Sequence, residues 1–84
     1  MRYKLLLSME VVTYLEGLKA PTRRGLRDLI GRIEDDPLGS SEAIEYDSVG
    51  RLMHIAIEGE NALIYWIDDA DRHVKVMEIH PADR

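Results

Sequence analysis

Between Arg51 and His80 the chain reads as three short strands joined by two acidic turns, and this pattern constrains the fold more than any other feature. Leu52-Met53-His54-Ile55-Ala56-Ile57 runs into Glu58-Gly59-Glu60-Asn61. Ala62-Leu63-Ile64-Tyr65-Trp66-Ile67 runs into Asp68-Asp69-Ala70-Asp71, and His73-Val74-Lys75-Val76-Met77-Glu78-Ile79 closes the series. β-Branched and aromatic residues fill the runs, while Gly, Asn and Asp bound them, as strands and turns require. A β-meander is predicted for this half.

The preceding half is predicted to be mostly helical. Residues 3–8 form a short apolar strand, and Ser8 stands where a helix N-cap would, with Glu10 in the first turn. Met9, Val12, Leu15 and Leu18 recur at helical spacing, giving a helix over about residues 9–18 that Gly17 and Pro21 bring to a stop. A second helix starts at Pro21 or Thr22 and carries Leu26, Leu29, Ile30 and Ile33 on one stripe. Gly25 and Gly31 weaken it by about 1 kcal/mol each relative to Ala, and residues 35–41 end it. Ala43-Ile44-Glu45-Tyr46 fits a loop or a short strand equally well.

The order β-α-α-β-β-β implies an α+β fold, with two helices on one face of a small, mainly antiparallel sheet. The first strand is expected to pair within the later sheet. Leu63, Tyr65 and Ile67 are assigned to the helix-covered face and Ala62, Ile64 and Trp66 to the open one. In the strand before, His54 shares the open face with Leu52 and Ala56 if Met53, Ile55 and Ile57 face the helices.

Residues 1–84 are expected to form one domain with a small core, burying roughly 60–65% of the unfolded chain's surface. With no cysteine, disulfides, zinc thiolates and thiol nucleophiles are excluded. The opening Met1-Arg2-Tyr3-Lys4-Leu5-Leu6-Leu7 is too short an apolar run for a signal peptide, and no run is long enough to span a membrane. A cytoplasmic location is expected. The net charge of −5 is unevenly spread: residues 19–32 hold Lys19, Arg23, Arg24, Arg27 and Arg32 against Asp28. Residues 34–47 hold Glu34, Asp35, Asp36, Glu42, Glu45 and Asp47 with no basic residue. Any contact with nucleic acid must therefore be local.

With these motifs in this order, the whole chain resembles the RelE/ParE toxin superfamily of type II toxin–antitoxin systems. The opening strand ends in Ser8, a helical hairpin follows, and the second helix closes on Ile33-Glu34-Asp35-Asp36-Pro37 with Gly39 after it. Gly59-Glu60-Asn61-Ala62-Leu63-Ile64-Tyr65-Trp66-Ile67-Asp68-Asp69 looks like the family's Gly-Asp-Tyr-Arg-Val-Ile-Tyr-x-Val-Asp-Asp strand. Val74-Lys75-Val76-Met77-Glu78-Ile79-His80 resembles its closing strand. The resemblance implies a small toxin neutralised by an antitoxin. RelE-like members cleave mRNA on the ribosome, whereas ParE-like members inhibit DNA gyrase, and one scaffold serves both.

Metal-free RNA cleavage needs a base for the 2′-OH, cations for the charged phosphorane and an acid for the leaving oxygen. RelE-like toxins draw these from Arg, Lys, His, Glu and Tyr, and the candidates matched here are His80, Arg51, His54, Lys75 and Arg84. His80 is the foremost acid or base, since imidazole exchanges protons near neutrality; its structural alternative is an end-cap. Arg51 is otherwise a solvated turn arginine, His54 a hydrogen-bonded core histidine, and Lys75 a residue that keeps a strand face soluble. The family's strand arginine falls on Ala62, and the C-terminal Tyr frequent in the family is absent after Arg84. Arg23, Arg24 and Arg27 on the second helix suit RNA or the ribosome, or else form a solvated face.

The expected open face with Trp66, Ile64 and Met77 is apolar enough to take an antitoxin or a second copy of the chain, making a homodimer. No cofactor or metal is expected: the carboxylates at 68–71 lack the later ligands of an EF-hand loop, and His54, His73 and His80 lack zinc spacing. Two functions stay open on these residues. One is a RelE-like, ribosome-dependent mRNA endoribonuclease; the other is a non-catalytic ParE-like gyrase inhibitor or degenerate binding module. A plain α+β domain in some other complex leaves the motif order unexplained.

Overall fold

A computed structural model of the chain describes residues 3–82. The element order is β1 (Lys4–Leu7), α1 (Met9–Glu16), α2 (Ala20–Asp35), β2 (Ala43–Tyr46), β3 (Leu52–Glu58), β4 (Asn61–Asp68) and β5 (His73–Pro81). The expected β-α-α-β-β-β order is present with one strand added, because residues 43–46 pair with β3. The sheet runs β1-β5-β4-β3-β2, antiparallel except that β1 lies parallel to β5. α1 packs against β5 and α2 against β3.

Local chemistry explains the helix limits. Ser8 caps α1: its backbone is extended and its Oγ accepts the Val11 amide at 3.2 Å, while Gly17 closes the helix with its N–H on the last carbonyls. α2 opens with Pro21 in its first turn, where a missing N–H costs nothing. Its buried stripe is Leu26, Leu29, Ile30 and Ile33, as the spacing predicts. For α1 the expected stripe is rotated by one position: Val11 and Leu15 are buried, Tyr14 and Leu18 pack beside them, and Met9 is 76% exposed. Apolar residues surround most of that short helix, so only packing selects the face. Gly25 serves close approach, since a Cβ there would stand 3.3 Å from a Glu58 carboxylate oxygen.

Leu63 and Tyr65 lie in the core and Ile67 packs on it, as expected for the helix-covered face of β4. The reading of β3 is overturned. His54 pairs with Tyr65 and Ala56 with Leu63, so His54 and Ala56 face the helices while Met53, Ile55 and Ile57 share the other face with Ala62 and Ile64. The cause is the β3–β4 turn. Gly59 takes φ 60 at its first loop position, and the two-residue loop locks Glu58 opposite Asn61. Every later pair follows from that register, whatever the hydrophobicity of the side chains.

A second departure lies in β5. Ile64 pairs with Glu78 but Tyr65 with Val76, leaving Met77 as the extra residue of a β-bulge. The bulge shifts the alternation, so Glu78 and His80 share a face with Lys75, and Ile79 joins the core.

Candidate functional site

The sheet face away from the helices carries three of the polar side chains that the sequence singles out, Arg51, Lys75 and His80. Around Trp66 the Arg51 guanidinium stands 4.6 Å from the ring centroid and the Lys75 ammonium 4.7 Å, approaching from the β3 and β5 sides. Each cation is also held loosely by one carboxylate: Arg51 Nε lies 3.5 Å from Asp47 and Lys75 Nζ 3.5 Å from Asp68. The Trp66 indole N–H is buried and finds no hydrogen-bond partner among the described residues.

His80 sits at the other end of β5, opposite Ala62, and is exposed. Its Nδ1 lies 2.9 Å from the Pro81 carbonyl oxygen, which leaves Nε2 as the outward nitrogen. Beyond residue 76 no strand of the described residues covers the outer edge of β5. A cleft there, between β5 and α1, is lined by Met9, Glu10, Thr13, Tyr14, Glu78, Ile79 and His80. Sequence reasoning missed Glu10, Tyr14 and Glu78 as site residues. Glu78 stands beside His80 by strand alternation, but only the bulge turns the pair to the face of Lys75, and no local signal announces a bulge. Tyr14 is fixed by its hydroxyl, which donates to Asn61 Oδ1 at 2.6 Å and ties α1 to the β3–β4 turn.

Placement separates the candidates into groups. Arg51 and Lys75 converge on Trp66, whereas His80 stands five residues from Lys75 along β5, roughly 15 Å of strand. His54 belongs to neither group, contrary to its expected place on the open face. It is buried against Tyr65, with ring centroids 5.5 Å apart, and its Nδ1 is 2.9 Å from Ser41 Oγ. Burial pushes its pKa below the ordinary imidazole value, so a neutral ring serves packing there. Arg84 lies outside the described residues. On α2, Arg24 and Arg27 are exposed and Arg23 donates to the Leu18 carbonyl at 2.6 Å.

The expected apolar docking face is also altered. Ile64 is buried by its register neighbours and Trp66 is half-buried between two cations. Met77 sits at the bulge and not opposite Ile64. Among the described residues no helix is long and apolar enough to cross a membrane, and no three His, Asp or Glu side chains gather as a metal site.

No family model and no curated protein sequence matches the chain. Solved structures do. RelE in the archaeal RelE–RelB complex from Pyrococcus horikoshii OT3 superposes with a TM-score of 0.83 at 20% identity, covering 100% of this chain and 99% of that one. This chain has the RelE fold. A chain of the toxin–antitoxin complex RelBE2 from Mycobacterium tuberculosis superposes with a TM-score of 0.81 at 17% identity, over 96% of this chain and 99% of the other. The isolated RelE toxin of E. coli matches at 0.76 and 18%, over 98% and 86%. Ala62, Arg51, Lys75 and His80 are thus placed on the non-helical face of a RelE-type sheet.

Proposed function

We propose that this chain is the toxin of a type II toxin–antitoxin pair, acting in the cytoplasm as a ribosome-dependent mRNA endoribonuclease that blocks translation. The observation that carries this reading is the end-to-end superposition on RelE chains, two of them from complexes with an antitoxin. A cognate antitoxin is accordingly the first partner, and ribosome-bound mRNA the substrate. The chemistry assigned to the site is attack of a ribose 2′-OH on the adjacent phosphorus, with departure of the 5′-oxygen. His80, exposed beside the α1–β5 cleft with Glu78 on the same face, moves the proton. Arg51 and Lys75, about 15 Å away along the sheet, supply positive charge for flanking phosphates of the same RNA. Their 3.5 Å pairs with Asp47 and Asp68 are partly exposed and hold them weakly, so an RNA phosphate can displace the carboxylates.

Ala62 favours a second reading. It lies opposite His80, where the family resemblance calls for an arginine, and a missing cation beside a developing phosphorane costs a few kcal/mol of transition-state stabilisation. That reading is a non-catalytic toxin fold, either a gyrase inhibitor or a protein-binding module. A translation reaction with a defined mRNA, mapped by primer extension, separates the two. The ribonuclease reading expects cuts only in translated message, lost in a folded His80→Ala variant. An intact message with the unaltered chain overturns it and makes a gyrase supercoiling assay the next measurement.

A further inference from the structure

Trp66 carries a cost that a plain packing residue would not. Its indole N–H is buried with no hydrogen-bond partner among the described residues, although the side chain as a whole is half-buried on the open face of β4. Leucine or phenylalanine would fill that place without stranding a donor. What indole offers beyond them is the strongest π-face for a cation, and here one ring serves two: Arg51 at 4.6 Å and Lys75 at 4.7 Å from its centroid. The register sets Lys75 directly across from Trp66 on β5, while Arg51 comes from the start of β3 on the other side.

The carboxylates beside these cations are committed elsewhere. Asp47 Oδ1 accepts the Val49 and Arg51 amides at 3.0 and 2.8 Å and so holds the β2–β3 turn; only Oδ2 reaches Arg51, at Nε and 3.5 Å. Asp68 Oδ1 likewise accepts the Asp71 amide at 3.3 Å in the β4–β5 turn, leaving Oδ2 for Lys75 at 3.5 Å. The terminal amino groups of the guanidinium and the remaining donors of the ammonium therefore face no carboxylate among the described residues. Glu45, opposite Met53 on the same face, denies the cluster a net positive charge. What it offers an anion is two aimed sets of donors and not a broad field. Both heads lean on one ring, which keeps them within reach of neighbouring phosphates of a single strand.

We infer that Trp66 is the positioning residue of a two-phosphate clamp, its ring holding Arg51 and Lys75 outward for neighbouring phosphates of one single-stranded RNA. With a cation on each side, the ring is closed to base stacking. Trp66 touches the cations and not the RNA. The ligand rests on the ribonuclease reading, and the clamp makes this end of the sheet blind to base identity, because phosphate contacts carry no sequence information.

The probe is a labelled oligouridine, titrated by fluorescence anisotropy against the full chain, which reads binding whether or not a message is cut. Trp66→Leu should weaken it about ten-fold with the circular dichroism unchanged. Trp66→Phe keeps a π-face and loses the stranded N–H, so it should recover most of the affinity. In a chain already carrying Arg51→Ala and Lys75→Ala, Trp66→Leu should have no further effect, since it acts through those two residues. The slope of log affinity against log salt should flatten by up to about 1.4 in Trp66→Leu, ~0.7 for each phosphate released. Oligoadenylate of the same length should bind as oligouridine does. Unchanged affinity in folded Trp66→Leu, a further loss in the triple variant, or no binding by the unaltered chain would overturn the role. So would a preference for adenine runs that Trp66→Leu abolishes, because the ring would then be a base platform. Should Trp66→Leu fail to fold, the Lys75 Cε protons of the unaltered chain decide by NMR: ring-current displacement upfield supports the role, and ordinary positions overturn it. RNA binding in the expected pattern beside an intact message in the translation reaction would keep the clamp and remove the ribonuclease reading alone.

Discussion

Tyr65 shows how one buried side chain joins three parts of the molecule. It is fully buried, its hydroxyl donates to the Pro37 carbonyl at 2.6 Å, and its ring stacks on His54. Burial first, then the charges of Asp36 and Glu42, push its pKa up to about 12. The folded value lies above the ordinary value of about 10, so the stability from a neutral phenol is complete below pH 10 and falls as pH rises towards 12. Tyr65→Phe should cost about 1–2 kcal/mol at neutral pH through the lost hydrogen bond. It should also remove part of the decline in urea midpoint between pH 10 and pH 11.5. His54 works in the opposite direction. Burial lowers its folded pKa, so the neutral ring contributes stability above the ordinary value near 6.5, and that contribution is lost as pH falls below it. A series of urea midpoints from pH 7 to pH 4.5 should fall less steeply for His54→Gln than for the unaltered chain.

At the scale of the element, Ser8 is the hinge on which the first half turns. Its N–H donates to the Val76 carbonyl, its Oγ accepts the Val11 amide, and the same hydroxyl donates to the Met77 carbonyl at 3.0 Å. One residue thus ends β1, starts α1 and takes up the carbonyl at the bulge. Ser8→Ala should cost about 0.5–2 kcal/mol in urea denaturation, the range for a lost N-cap. The cap was legible in the sequence because Ser before a helical run with Glu10 behind it has a local cause. The stripe of α2 was legible for the same reason. The face of α1 was not, since Val11 and Val12 are both apolar and only contact with β5 separates them.

Across the whole molecule, charge and topology divide the work between two ends of the sheet. Exposed Arg24 and Arg27 lie on the helical hairpin, the cations around Trp66 lie on the far face, and the carboxylates gather near β2. Arg51 and Lys75 contribute little to folding, because exposed or half-exposed ion pairs and cation–π contacts stabilise by roughly 1 kcal/mol or less. Arg51→Ala and Lys75→Ala should therefore shift thermal denaturation only slightly. Under the ribonuclease reading, each holds a phosphate flanking the cleaved one, so each variant should reduce mRNA cuts in a translation reaction about ten-fold through weaker binding of the message, some 1.4 kcal/mol. Full cleavage by both variants would remove these cations from the site.

The sequence by itself determined the class of fold, the helical hairpin, the meander and the helix-covered face of β4, because each follows from spacing or turn chemistry within a few residues. The superposition on RelE chains bears out the family likeness of those motifs at the level of fold. Tertiary structure alone decided which face His54 and Ala56 occupy and that Ala43–Tyr46 joins the sheet. It alone turned Glu78 and His80 to the face of Lys75. Strand register is set by the Gly59 turn and by one extra residue at Met77, and a shift of one residue turns every following side chain to the other face. Composition carries no trace of that shift, so the pattern of the sequence reaches the strands but not the faces they present.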